Sequence, residues 1–170
     1  MSDTRLPRGI FLAIILVALA QAAYNFSVLP YRLASHFSAS GVPNGWMTKQ
    51  AFFIVYVAMV LIAAVVEFLV PLSITKSANP RLNMPHKDYW LAPGQRAETI
   101  AYVAKSLAWY GCAILLLEVL TMGLAIQANF SSPPRLPATP MMTLLISFAL
   151  YNVFWITRMV RRFSSVPPTV

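Results

Sequence analysis

The stretch LPYRLASHFSASGVPNGWMTK, residues 29–49, lies between two long apolar runs and differs from both in composition. It contains two prolines, two glycines and one histidine, and it has no acidic residue. Glycine and proline interrupt helical periodicity and favour turns. A chain built only to cross a lipid bilayer would not need such a connection. We therefore expect the flanking runs to be membrane helices and residues 29–49 to form a polar segment at the membrane surface.

The composition indicates that lipid is the main solvent of the chain. Of its 170 residues, 58% are hydrophobic and 11% are charged, whereas soluble domains are about a quarter charged. The net charge of +8 would suggest nucleic acid in a soluble protein, but here the basic residues flank apolar runs, where they meet lipid headgroups. We expect membrane lipids as partners, no nucleic acid and no cofactor. The single cysteine, Cys112, lies in an apolar run and is expected to pack between helices.

Four apolar runs are long enough to span a hydrocarbon core of roughly 30 Å. They predict helices at residues 9–26, 51–72, 97–128 and 141–160. The first run also resembles a signal peptide with a cleavage site around Ala20, but it stays apolar through Phe26, which favours an uncleaved helix. The expected fold is an all-α integral membrane protein, one four-transmembrane-helix bundle over residues 1–163 in which sequence neighbours are antiparallel. Thr48 is a suitable cap for the second helix, and residues 164–170 are expected to form a flexible tail.

The distribution of basic residues predicts the orientation of the bundle. Nine lie at one set of helix ends and three at the other, namely Arg5, Arg8, Lys76, Arg81, Lys87, Arg96, Arg158, Arg161 and Arg162 against Arg32, Lys49 and Arg135. Because cytoplasmic loops carry the excess of lysine and arginine, both termini are predicted to be cytoplasmic (N-in/C-in). Residues 29–49 then lie outside, and residues 86–90 lie inside.

Two motifs resemble a bacterial membrane family. Leu29-Pro30, Ala34-Ser-His36-Phe37, Gly41-Val-Pro43-Asn-Gly45-Trp46 and Lys49 resemble the signature of a domain of unknown function found at the N-terminus of SdpI-type toxin-immunity proteins. The run NMPHKDYWL, residues 83–91, resembles a second motif of the short members, in which asparagine is expected at the position of His86. The resemblance implies a location in the bacterial inner membrane. The immunity proteins are longer, so their activity is not transferred.

Three residues of the outer segment are candidate functional residues. His36 has no cysteine or carboxylate in its segment to complete a zinc site, so we expect a neutral imidazole hydrogen-bonded to a turn carbonyl, with a response to pH as the alternative. Trp46 and Lys49 are interpreted as an aromatic anchor and a snorkelling amine at the membrane interface, with ligand binding as the alternative. No metal site is expected.

The inner loop contains further candidates, Asp88, Trp90 and Arg96. Asp88 lies beside Lys87 and near Arg96 and Glu98, a mixed-charge cluster that usually forms weak surface ion pairs. Trp90 is interpreted as an interfacial anchor. No nucleophile, phosphate cradle or metal accompanies these residues, and the sequence predicts no catalytic residue.

Three ionisable residues fall within the apolar runs, where a charge is costly. Glu67 and Lys105 are predicted to form an intramembrane pair that ties the second membrane helix to the third. Glu118 lies deeper and has no basic partner at a similar depth. It is either a neutral, packed glutamic acid or part of a proton or cation relay. Four polar residues are expected to hydrogen-bond to it, namely Gln21, Asn25, Thr121 and Asn152.

Three functions are compatible with these features. The first is a non-enzymatic accessory, regulatory or immunity-like protein that binds a membrane partner through the outer segment. The second is a small transporter or a binder of lipids or small molecules that uses Glu118 and the bundle interior. The third is a lipid-modifying enzyme that uses His36 or Asp88, although neither has a visible chemical partner. We expect that the chain is not an enzyme.

Overall fold

A computed structural model describes residues 4–77 and 82–166 of the chain. Its elements are α1 (Arg5–Val28), β1 (Arg32–Phe37), β2 (Pro43–Thr48), α2 (Lys49–Lys76), α3 (Lys87–Trp90), α4 (Arg96–Ala128) and α5 (Ala138–Phe163). Within these residues, α1, α2, α4 and α5 are long and apolar enough to cross a membrane. The protein is therefore mostly helical, and its described residues contain four helices with the length and apolar composition that the sequence predicted.

The expectation of an all-α fold is wrong for the outer segment, which forms an antiparallel β-hairpin. β1 pairs with β2 from Arg32 opposite Thr48 to Phe37 opposite Pro43, with an irregular register around His36. The physical reason is that backbone N–H and C=O groups near the bundle need partners, and two short strands provide them for each other. Glycine and proline indicated the turns of this segment, but they did not indicate the strands between them.

The helices extend beyond the predicted apolar runs at most of their ends, for example from Arg5 in α1 and to Lys76 in α2. Hydropathy marks only the hydrocarbon crossing, whereas helical hydrogen bonding continues towards the membrane surface. Pro71 lies within α2 and does not end it. The predicted cap is confirmed, because the Oγ1 atom of Thr48 accepts a hydrogen bond of 3.2 Å from the backbone N–H of Ala51.

The hydrophobic core is formed mainly by α1, α2 and α4, which all contact one another. Phe11, Tyr56 and Leu115 are fully buried between these helices, and Leu33 of the hairpin joins the same cluster. Cys112 is buried in the position expected of a packing residue, and its Sγ donates to the carbonyl oxygen of Pro7 at 3.1 Å. The contact of α1 with α4 adds to the predicted contacts between sequence neighbours.

The last helix, α5, packs mainly against α4 and leaves most of its surface exposed. Tyr110 of α4 is central to this contact, since its hydroxyl donates to Oδ1 of Asn152 and its ring lies 4.5 Å from that of Trp155. The indole N–H of Trp155 donates to the carbonyl oxygen of Ser106 at 3.2 Å. An aromatic and polar seam thus holds α5 to the three-helix core.

The bundle has two distinct ends. The hairpin end contains β1, β2 and the 129–137 connection. The termini end contains α3, the N-terminus of α1 and the C-terminus of α5. At the termini end, Nε2 of His86 lies 3.1 Å from the carbonyl oxygen of Ser164. Ser164, the first residue of the predicted tail, therefore contacts the inner loop. Residues 167–170 of the tail lie outside the described residues, and Arg81 does so as well.

Candidate functional site

The hairpin is fastened to the bundle by Asn129, the residue that follows α4. Its Oδ1 accepts from the backbone N–H of Ala34 at 2.7 Å, and its Nδ2 donates to the carbonyl oxygen of Ala34 at 2.9 Å and to that of Ala125 at 2.8 Å. The Asn129 amide therefore occupies the outer edge of β1 as a neighbouring strand would. Asn129 was not among the residues predicted from the sequence, because nothing in the local pattern connects it to a strand 95 positions away.

Two glycines of the first motif allow close approaches around the hairpin turn. Gly41 has φ +79°, and a Cβ atom there would overlap the backbone carbonyl oxygen of Leu136. The backbone N–H of Leu136 donates to the carbonyl oxygen of Gly41 at 2.9 Å. Gly45 lies opposite the imidazole of His36, where a Cβ would come within 3.0 Å of the ring. Both glycines thus have a structural explanation in the packing of the hairpin.

Lys49 and Trp46 have different environments. The Nζ atom of Lys49 donates to the carbonyl oxygen of Leu29 at 3.0 Å and lies 5.0 Å from the ring centre of Phe26. The amine therefore turns back onto the protein instead of reaching out as a snorkelling group. Trp46 is 45% exposed, and the guanidinium of Arg32 lies 5.9 Å from its ring centre. Among the three outer candidates, Trp46 offers the largest accessible apolar surface.

His36 is exposed on β1, and its Nδ1 atom lies 3.1 Å from Oγ of Ser35. Its observed hydrogen bond is thus to a hydroxyl and not to the turn carbonyl that was expected. The described part of the chain contains no group of three or more histidine, cysteine or acidic residues that could hold a metal ion.

At the termini end, Trp90 is 4% exposed and packs edge-on against Tyr89 and Phe163. It is therefore a buried residue of the protein rather than an interfacial anchor. The guanidinium of Arg162 lies 5.0 Å from the Trp90 ring centre and forms an ion pair of 2.9 Å with Glu98. The sequence did not indicate that Trp90 and Glu98 contact residues of α5.

The other candidate residues of the inner loop do not join the contacts between Trp90, Arg162 and Glu98. Arg96 donates to the carbonyl oxygen of Ser77 at 2.5 Å, which links the start of α4 to the end of α2. Asp88 is exposed in the first turn of α3 and does not join the Glu98–Arg162 pair. His86 has φ 51° and ψ 38°, the left-handed region in which asparagine is several-fold enriched. That backbone conformation explains why asparagine is expected at this position.

The intramembrane pair of Glu67 and Lys105 is not formed. Glu67 is 4% exposed and points to α4 beside Gly111, where its carboxylate occupies the space that a side chain would need. Lys105 is exposed on the part of α4 that faces α5. The cation near enough to Glu67 for an electrostatic interaction is Arg8 of α1. The position of each residue along its helix follows from the sequence, but the face of α4 on which Lys105 lies does not.

Glu118 also lacks the partners that were expected. Gln21 accepts from the hydroxyl of Tyr56 at 2.7 Å, while Asn25 and Thr121 bond to carbonyl oxygens of their own helices. Asn152 bonds to Tyr110 and to its own helix. Short polar side chains readily bond to carbonyls of the preceding turn. The Oε1 atom of Glu118 is buried and has no hydrogen-bond partner within residues 4–77 and 82–166.

The structure does bring Glu67 and Glu118 to one place, a cavity of about 380 Å³ between α2 and α4 that we call the acidic groove. It is lined by Met59, Ile62, Ala63, Val66, Glu67, Val70, Pro71, Leu107, Tyr110, Gly111, Ile114 and Glu118. A second cavity, about 980 Å³, lies at the termini end beside Trp90, Arg158, Arg161 and Arg162. The arginines of this second cavity are placed where anionic lipid headgroups would meet a membrane protein.

One family model matches part of the chain. Residues 12–60 match the family described as a domain of unknown function (DUF1648). No curated protein and no solved structure matches the chain significantly. The matched residues contain most of α1, the whole hairpin and the start of α2. The match supports the predicted relationship to that family for this part of the chain, and it brings no activity with it.

Proposed function

We propose that the chain is a non-enzymatic membrane protein that binds an extended, acidic segment of a membrane partner through its hairpin. The observation that carries this proposal is the difference between the two edges of the hairpin. The outer edge of β1 is closed by the Asn129 amide at Ala34. For β2, no described residue outside β1 forms a backbone ladder with it.

The direction of the backbone groups on β2 follows from the register. Ala34 lies opposite Trp46 and directs its N–H and C=O away from β2, towards Asn129. In an antiparallel pair, directly opposed residues share this inward or outward direction, so Trp46 presents its own N–H and C=O at the free edge. Exposed strand edges are docking sites for an added strand.

Charge favours an acidic partner over a second copy of this chain. The hairpin end carries Arg32, Lys49 and Arg135, and neither residues 29–49 nor 129–137 contain an acidic residue. Two such ends would repel each other if they were placed edge to edge, whereas opposite charge attracts a partner and orients it. The resemblance of the hairpin motif to SdpI-type immunity proteins also favours a role in recognition.

We also propose that the protein lies in the bacterial inner membrane with both termini in the cytoplasm. The nine-to-three distribution of basic residues supports this orientation. We expect a membrane-impermeant maleimide to label Ser40→Cys, at the hairpin turn, in intact cells, and to label Ser165→Cys only after permeabilisation. The unmodified chain, in which Cys112 is buried, is the control for background labelling. The opposite labelling pattern would show that the bundle is inverted.

The free edge is tested by removing one N–H group. Trp46→Pro removes the tryptophan side chain and the outward backbone N–H. Trp46→Ala removes the same side chain but keeps the backbone N–H. With a photo-crosslinking residue at the exposed Asn44, we expect the yield of partner adduct in intact cells to fall at least about tenfold further in Trp46→Pro than in Trp46→Ala, roughly the effect of one lost hydrogen bond.

Hydrogen exchange at the Ala34 amide is the control in that experiment, since its protection should be the same in both variants if the hairpin remains folded. Equal adduct yields in Trp46→Pro and Trp46→Ala would contradict strand addition at this edge. An adduct of similar yield from a crosslinker at the opposite end, in place of Lys87, would show that the capture is not specific to the hairpin.

A further inference from the structure

The acidic groove has the composition of a binding site for a small molecule. Its volume of about 380 Å³ lies within the common range of ligand pockets. Apart from Glu67, Glu118 and Tyr110, its lining side chains are apolar. Ile62, Val66 and Ile114 are among the exposed hydrophobic residues on the surface of the bundle. The groove is therefore accessible sideways, from the hydrocarbon of the membrane.

One oxygen of each carboxyl group lacks, among the described residues, the hydrogen-bond partner that buried polar atoms normally have. Glu67 is 4% exposed and Glu118 is 9% exposed, and in each the Oε1 atom is buried without a hydrogen-bond partner. An ionisable group inside a membrane is costly unless it is paired, and such a residue commonly marks a substrate or ion pathway. Two of them in one cavity need an explanation that helix packing does not supply.

Within the described residues, no third histidine, cysteine or acidic residue joins Glu67 and Glu118 to complete a metal site. Glu67 lies beside Gly111 of α4, and Glu118 lies seven residues further along the same helix, roughly 10 Å at 1.5 Å per residue. The groove is thus an elongated apolar channel with an acid towards each end.

The electrostatic surroundings distinguish the two acids. Arg8 provides a positive charge near Glu67. Among the residues that the structure describes, no basic side chain lines the groove with Glu118, and Lys105 lies towards α5 instead. Glu118 is consequently the carboxyl group whose charge the protein leaves uncompensated at this site. An anionic lipid would be repelled here, and an uncharged ligand would leave the negative charge of the acid uncompensated.

We propose that the acidic groove binds an amphipathic organic cation from the membrane. Its charged head pairs with Glu118, and its apolar body lies along α2 and α4. This binding site goes beyond the docking role of the hairpin and uses a different part of the protein. Burial of a charge in an apolar cavity is unfavourable alone, but an ion pair with a desolvated cation offsets that cost.

The test uses tetraphenylphosphonium, a bulky cation without a titratable proton, and the purified full chain in detergent micelles. We expect saturable binding by equilibrium dialysis and no saturable binding of triphenylphosphine oxide, a neutral compound of similar apolar character. Glu118→Gln keeps the size of the side chain and removes its charge, and it should weaken binding at least about tenfold, or about 1.4 kcal/mol.

Two further variants keep the result interpretable. Glu98→Gln changes an exposed acid at the termini end and should leave the dissociation constant within about twofold. Ile114→Trp fills the groove while keeping Glu118, and it should abolish binding with an unchanged helical circular dichroism spectrum. Absence of saturable tetraphenylphosphonium binding, equal affinity for the neutral compound, or unchanged binding in Glu118→Gln would each overturn the proposal.

Discussion

Replacing Gly41 by alanine is expected to lower the free energy of unfolding by about 2–4 kcal/mol. Two effects act together at this position. The φ of +79° is unfavourable for a residue with a Cβ atom, and that atom would overlap the backbone carbonyl oxygen of Leu136. A backbone group cannot move aside as the end of a flexible side chain can. The 129–137 connection would therefore have to separate from the hairpin turn, and the hydrogen bond from Leu136 to Gly41 would be lost.

The measurement is reversible unfolding in mixed micelles, followed by circular dichroism and by hydrogen exchange of the hairpin amides. Gly9→Ala is the matched control, because a Cβ at Gly9 meets nothing within 4 Å and the residue is helical. It should be neutral or slightly stabilising. If Gly41→Ala were as stable as Gly9→Ala, the close contact of the turn with Leu136 would not exist in the folded protein.

The second large effect is expected for Asn129→Ala, which should destabilise the protein by about 2–5 kcal/mol. The substitution leaves the N–H and C=O of Ala34, a residue that is 0% exposed, without their hydrogen-bond partners. Each buried group left unpaired costs about 1–3 kcal/mol. Water does not easily replace the lost amide, because Asn129 and Ala34 are both buried.

Asn129→Asp separates the two halves of this contact. A carboxylate can still accept a hydrogen bond from the N–H of Ala34, but it cannot donate one to the carbonyl oxygen. We therefore expect a loss of stability relative to the unmodified protein and faster hydrogen exchange at the Ala34 amide. Asn44→Ala, at an exposed position of β2, should change stability by less than about 0.5 kcal/mol. Equal stability of Asn129→Ala and Asn44→Ala would contradict the role assigned to the amide.

The losses of stability from Gly41→Ala and Asn129→Ala should be less than additive when the two substitutions are combined in one variant. Asn129 holds the edge of β1 and Gly41 holds the turn, and both fasten the same hairpin to the segment after α4. Once the hairpin has separated from the bundle, the second change has less to disrupt. Residues that stabilise one unit commonly show coupling energies of about 0.5–3 kcal/mol.

These contacts divide the residues of the first motif into those that contact other parts of the protein and those that remain exposed. Gly41, Gly45 and Lys49 are committed to contacts within the protein. Trp46 and His36 remain exposed on the hairpin. In the docking role that we propose, a bound partner would contact the tryptophan ring and the β2 edge, while the glycines and the lysine fix the position of the hairpin.

The sequence alone determined the number of membrane spans, their approximate position and the cap at Thr48. These features depend on local properties, since hydrophobic length decides whether a segment enters lipid and a cap acts within one turn. It also indicated that Glu67 and Glu118 lie inside the membrane. The hairpin was missed, because the glycines and prolines of residues 29–49 mark turns without showing that the residues between them pair.

Only the tertiary structure decided which groups meet across the bundle. Asn129 closes a strand 95 residues away, Lys105 faces away from Glu67, and Glu118 keeps an unpaired oxygen. The physical reason is that the rotation of each helix about its axis is set by packing with all of its neighbours. A polar residue in an apolar helix has a known depth from the sequence, but its facing direction, and therefore its partner, depends on the assembled bundle.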